Sequence, residues 1–160
     1  MDDLVARLGP HLAAVAGGEV PDTPALRALL DLLRERSHTL VEMASQAHWL
    51  VRDEIELDEK AAKKHLRPVA LPLLTDLVER LENLDEWSEA ALEPAFEAVV
   101  AAHETKMGKL AQPVRVAVTG GPNSPGIYET LAVLGRDRTI SRLRDAIGLV
   151  EARAAESGEG

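Results

Sequence analysis

The sequence contains no cysteine, which excludes disulfides, thiolate catalysis and the common cysteine-based zinc sites, and leaves the fold to rest on packing. Aromatic mass is nearly as scarce, with Trp49, Trp87, Phe96 and Tyr128 the whole supply in 160 residues. The apolar content comes instead from Ala, Leu and Val. Ala and Leu favour helix, whereas β-branched and aromatic residues would dominate strands, so an all-α fold is expected. No apolar run approaches the roughly 20 residues of a membrane span, and no basic segment leads into an apolar leader. A cytoplasmic protein with no membrane partner is the expectation.

Signatures of catalysis are also lacking. There is no dinucleotide fingerprint, and Gly120-Gly121-Pro122 lacks the lysine and following Ser/Thr of a phosphate-binding loop, so no cofactor is expected in this chain. The five histidines form no helical pair four apart, and no metal is expected. Glu54, Glu56, Asp58 and Glu59 read as a solvated charged face. Ser37-His38 has nothing to orient the imidazole and no oxyanion hole, so no catalytic residue is assigned.

A net excess of basic charge is missing too. The formal charge of −9 argues against a general electrostatic grip on nucleic acid, but it is unevenly spread. Residues 1–105 hold 10 Lys/Arg against 21 Asp/Glu, a net of −11, whereas residues 106–153 hold 8 against 4, a net of +4. The C-terminal third is therefore suited to meet a phosphate backbone while the rest repels it. Charge segregation without any ligand is equally consistent with these counts.

What is present is a series of helix signals. A first helix is expected from about Asp2 to Val15, interrupted or kinked at Gly9-Pro10 and stopped by Gly17-Gly18. Thr23-Pro24 caps a second, with Leu26, Leu29, Leu30 and Leu33 on one face. A third includes Thr39 to Trp49, and Leu50 to Leu57 reads as a loop. Asp58 caps a short helix to about His65, and Arg67-Pro68 separates it from one ending near Asn83. Ser88 caps the next, which turns Phe96, Val99 and Val100 inward despite Pro94, with Trp87 and Leu92 placed as a hydrophobic staple. Val114, Val116 and Val118 alternate, yet a lone strand would leave its edges unpaired, so a short helix is preferred. Ser124-Pro125 repeats the cap-plus-proline signature, Gly135 supplies a stop, and Thr139 starts a last helix toward Ala155. Two adjoining helical subdomains are expected, 1–105 and 106–155, with 156–160 a frayed tail.

Candidate binding residues centre on Gln112–Ile127, QPVRVAVTGGPNSPGI, where a guanidinium, a turn of small residues and a capped helix start lie close together. Arg115 offers a planar fork of donors to bases or phosphates, and the Thr119–Pro125 turn brings backbone N–H groups and Ser124 to the surface. Ile127 supplies an apolar surface beneath an unstacked base. Arg34 and Arg36 precede the third helix without an apolar role, and Arg136, Arg138, Arg142 and Arg144 are candidate phosphate contacts. An internal salt bridge remains open for each arginine, and a purely structural role for Ile127.

The passages LLRERSHTLVEMASQAHWL, ELDEKAAKKHL and LAQPVRVAVTGGPNSPGIYETLAVLGRDRTISRLRDAI resemble the C-terminal anticodon-binding region of bacterial-type glutamyl-tRNA synthetases, over nearly the whole chain to about Ile147. That resemblance implies an all-helical pair of subdomains that reads the glutamate anticodon. By motif, Arg36 matches the arginine that contacts the third anticodon base, and Arg115 the arginine of the QPxR element. Ser124, Pro125 and Ile127 match the TPGL-like element around the other anticodon bases, with Ser for the commoner Thr and Ile for Leu. The catalytic motifs of such a synthetase, HIGH-like and KMSKS-like, are absent from this sequence.

The expectation is thus an anticodon-recognition module that does not aminoacylate alone. Glutamate tRNA is its expected partner, together with a catalytic synthetase domain or subunit that carries the ATP and magnesium chemistry. The alternative is a stand-alone regulatory or protein-interaction adaptor that kept the fold without reading tRNA.

Overall fold

The structure is a computed structural model that describes residues 2–16, 22–34, 39–51, 55–121 and 126–156. Among these residues the chain is all α, with ten helices, one 3-10 turn and no strand. It divides into two compact units, Met1–Ile55 and Glu56–Gly160. The charge boundary at 105/106 does not coincide with this division; it falls between two packed helices of the second unit.

The first unit contains α1 (Asp2–Ala16), α2 (Pro24–Leu33), α3 (Leu40–Gln46) and α4 (His48–Val51). The Thr23 side chain accepts from the Leu26 N–H at 3.1 Å with Pro24 in the first turn, so α2 starts where its cap and proline dictate. Its leucine face, Leu26, Leu29, Leu30 and Leu33, is buried. Helix α1 packs against α3 and α4. It runs unbroken through Gly9-Pro10, contrary to the expected interruption. Leu8 and Leu12, both fully buried, anchor it on either side of an exposed Pro10, so the lost backbone hydrogen bond is tolerated. The single helix expected over Thr39 to Trp49 is divided at Ala47 into α3 and α4. Trp49 is 1% exposed, and α4 carries Leu50 and Val51, the first two residues of the expected loop.

The second unit contains α5 (Glu59–His65), the 3-10 turn Pro68–Ala70, α6 (Leu71–Glu82), α7 (Glu89–Ala102), α8 (Met107–Thr119), α9 (Ile127–Leu134) and α10 (Arg136–Glu156). Asp58 and Ser88 cap α5 and α7 by accepting from the N–H groups of Ala61 and Ala91. Helix α6 packs against α7 and α10, α8 against α5 and α10, and α9 against α7 and α10. The shared core holds Leu74, Leu77, Leu92, Phe96, Leu110 and Leu143, all fully buried. Val114, Val116 and Val118 are helical, as preferred, but in a helix of 13 residues that contains Pro113.

Two helix starts differ from expectation. Helix α9 begins at Ile127 with Gly126 at its N-cap and no side-chain cap; Ser124 and Pro125 lie outside the described residues. Helix α10 begins at Arg136, three residues before Thr139. Gly135, at φ +93°, ends α9 through its N–H to Leu131 and accepts from the Thr139 N–H as α10 begins. Thr139 is thereby drawn into the helix, fully buried, and its hydroxyl finds no partner among the described residues. An unpaired buried hydroxyl costs about 1–3 kcal/mol, and valine has nearly its shape. Thr139→Val should therefore raise unfolding free energy by about 1 kcal/mol in urea denaturation; a loss of stability would show that the hydroxyl is paired in solution.

Candidate functional site

Helix α8 carries Arg115 near its C-terminus, and the end of that helix is unusually well tied down. Four of its terminal carbonyls have partners. The Thr119 hydroxyl donates to the Arg115 carbonyl at 2.7 Å, and the Gly120 N–H to the Val116 carbonyl at 2.8 Å. An Arg142 Nη1 donates to the Val118 carbonyl at 2.7 Å, and the Asp58 N–H to the Gly120 carbonyl at 2.7 Å. Gly120 sits in the left-handed region at φ 88°, which lets the chain turn away from the helix axis at no steric cost. Thr119 is 1% exposed and Arg142 6% exposed, so the Arg142 bond to Val118 is buried and the Thr119 bond to Arg115 partly so.

Beyond the turn, α9 is held by aromatic contacts. Tyr128 meets the Phe96 ring edge-to-face, centroids 5.2 Å apart at 87°. Burial first, and then Glu93 and Glu97, raise the Tyr128 phenol above its ordinary range, so its hydroxyl stays protonated beside Met107 Sδ at 3.8 Å. The Trp87 indole N–H donates to the Leu131 carbonyl at 2.8 Å, tying the start of α7 to the body of α9. Ile127, the first residue of α9, is 8% exposed and belongs largely to the packed interior, whereas Gly126 before it is exposed.

The structure places the other candidates as follows. Arg115 and Arg138 are partly buried, on α8 and α10. Arg34, the C-cap of α2, is exposed, with Nη1 3.4 Å from Asp31 Oδ1. Arg136 lies 5.6 Å from the centre of the Trp87 ring and donates to the Leu84 carbonyl at 2.6 Å. Arg142 clamps α8, and Arg144 is paired with Glu82. Arg36, Ser124 and Pro125 lie outside the described residues. Thr119, Asp58 and Arg142 as a clamp were not anticipated from sequence, because the partners are 24 and 62 residues apart and nothing in local pattern joins them. Among the described residues no group of three His, Asp or Glu is placed to hold a metal ion, and no helix is long and apolar enough to cross a membrane.

Residues 3–147 match the family described as "Anticodon binding domain". The chain is 47% identical over 135 residues to a glutamate–tRNA ligase of Geobacter sulfurreducens, covering 84% of this chain and 29% of that protein. It is 45% identical over 148 residues to that of Myxococcus xanthus, covering 92% and 31%. The chain thus spans about a third or less of the length of these relatives. In fold it is similar to the crystal structure of a glutamate tRNA ligase from Elizabethkingia meningosepticum in complex with its amino acid, at a TM-score of 0.78 and 24% identity over 93% of this chain and 29% of that one.

The clamp has a measurable signature. Arg142→Leu keeps an apolar stem but leaves the buried Val118 carbonyl unpaired, and should cost about 1–3 kcal/mol in chemical denaturation. Arg144→Leu removes only an exposed ion pair and should change stability by less than about 1 kcal/mol. Equal effects of the two substitutions would contradict the assignment.

Proposed function

The chain belongs to the anticodon-binding domain family, matched over residues 3–147, and we propose that it selects glutamate tRNA by its anticodon. The ATP- and magnesium-dependent aminoacylation that follows selection is assigned in this proposal to a catalytic synthetase domain outside residues 1–160, with cytoplasmic translation as its setting. The observation that carries the reading is the clamped end of α8. It holds the turn at Gly120 in place, with Arg115 a little over one helical turn before it in α8.

In an RNA loop the bases that carry sequence information are unstacked, and they are read by hydrogen bonds to their edges and by packing on flat or apolar groups. A guanidinium pairs with two acceptors at once only if its direction is fixed, since the entropy of ordering a long side chain would otherwise offset the gain. Anchoring the helix that bears Arg115 lowers that cost. Arg115 is proposed to read a base edge; Ser124 and Pro125 to shape the pocket for a neighbouring base; and Ile127, through its packing, to hold the start of α9 beneath that pocket. Arg36 is proposed to read the third anticodon base, following the motif it matches. Arg34 and Arg138, on the C-cap of α2 and in α10, are proposed as phosphate contacts. Arg136, Arg142 and Arg144 support the site from within by the bonds they make to the protein.

Base reading and phosphate contact differ in how a loss is distributed. Arg115→Ala should weaken binding to glutamate tRNA by about 1–3 kcal/mol, while binding to tRNAs altered at the anticodon base that Arg115 reads changes little. A loss spread evenly over all tRNAs would reduce Arg115 to a backbone contact. Unchanged binding, with a protein partner still captured, would favour the adaptor instead.

A further inference from the structure

A groove of about 570 Å³ lies between α5, the Pro68–Ala70 turn and the N-terminal half of α8. Its rim carries Lys64, Arg67, Lys106 and Lys109, all exposed. Among the described residues no Asp or Glu lines it and none of the four cations lies in an ion pair. The arrangement stands out in a chain of net charge −9, in which Arg27, Arg34, Arg80 and Arg144 each have a carboxylate partner. Lys106 is the N-cap of α8 and Lys109 lies in its first turn, where cations are disfavoured by the helix dipole and carboxylates are the usual choice. Four like charges held together without counter-charges cost folding free energy, which a polyanionic ligand would return.

The floor has a different character. Leu73 and Pro113 are buried beneath it, while Val69 is 76% exposed, one of only two large aliphatic side chains so exposed among the described residues. His65, on the wall, is kept below the ordinary imidazole range by partial burial first and by Lys64 second, so it is neutral at pH 7 and the positive field comes from the four cations. A cationic rim over an apolar floor matches single-stranded RNA, which presents phosphates and, once unstacked, an apolar base face.

We propose that this groove is a second RNA contact, in which Lys64, Arg67, Lys106 and Lys109 hold the phosphodiester backbone and Val69 carries one unstacked base. The inference rests on the reading of the chain as a tRNA binder and adds a sequence-independent grip to the base-reading end of α8. The two ends of that helix, Lys106 and Gly120, are about 20 Å apart at roughly 1.5 Å per residue, so one RNA can occupy both. Division of labour follows: the groove supplies affinity, and the Arg115 end supplies choice.

The test compares the full chain with a Lys64→Gln/Lys109→Gln double variant and with Val69→Ser, using glutamate tRNA and an anticodon-altered tRNA over a salt series. All three positions are exposed, and matched helical circular dichroism establishes that the variants are folded. The double variant should bind both RNAs more weakly by the same factor, with the log–log salt slope shallower by about 1.4, at roughly 0.7 per phosphate released on a single strand. Val69→Ser should weaken both with the slope unchanged. Unchanged affinity and slope in the double variant, while Arg115→Ala still loses anticodon selectivity, overturns the groove and leaves the anticodon reading standing. Failure of the unmodified chain to bind any tRNA overturns both. Capture of a polyglutamate peptide by the unmodified chain but not by the double variant, with RNA binding unaltered, would give the groove to an acidic protein partner and overturn the proposal.

Discussion

The hydrogen bond from the buried Arg142 guanidinium to the Val118 carbonyl joins α10 to the last turn of α8, and the geometry of the proposed base-reading region depends on it. A helix end leaves four carbonyls without partners inside the helix, and one that is withdrawn from water must find them elsewhere. Here the Val116 carbonyl is met by the Gly120 N–H and that of Val118 by Arg142 from α10, while the Thr119 hydroxyl adds a second bond to the Arg115 carbonyl and the Asp58 N–H at the start of α5 holds the carbonyl of Gly120. The same Asp58 caps α5 with its side chain, so a single residue fixes the beginning of one helix and the end of another. The turn at Gly120 is consequently held by elements far apart in sequence.

Charge is used in two ways by the basic C-terminal third. Arg136, Arg142 and Arg144 are spent on the protein itself, stacking on Trp87, satisfying a carbonyl and pairing with Glu82. Lysines at the other end of α8, together with those at the end of α5, are left facing outward without counter-ions among the described residues. Arginine's planar, weakly hydrated fork suits the first task, and lysine's hydrated point charge suits a flexible polyanion. This sorting follows the physics of desolvation more closely than it follows the count of positive residues.

Much of the fold was legible because its signals are local. Thr23-Pro24, Asp58 and Ser88 each satisfy an N–H three residues on, and the leucine face of α2 follows from its spacing. Gly135 was correctly read as a stop, but its second role as the point where α10 begins was not, because Thr139 carries a cap-like side chain while burial decides its place. The interruption expected at Gly9-Pro10 is absent, since α1 continues through Pro10 with leucines buried on both sides, whereas the separation expected at Arg67-Pro68 is present. The division into units followed packing and not charge, which is why 105/106 falls inside the second unit. Of the site, Arg115 and the turn could be named from the motif, whereas the clamp could not, since its partners meet only in three dimensions. The groove left one trace in the sequence, a stretch from Thr105 to Tyr128 with Lys106, Lys109 and Arg115 and no acidic residue.

The most direct test of anticodon selection is equilibrium binding of the unmodified chain to glutamate tRNA and to the same tRNA with a swapped anticodon, at one fixed salt concentration. The proposed function predicts tighter binding to the glutamate anticodon, with each mismatched base costing about 1–3 kcal/mol. Equal affinity for the two, or no binding to either, would contradict it.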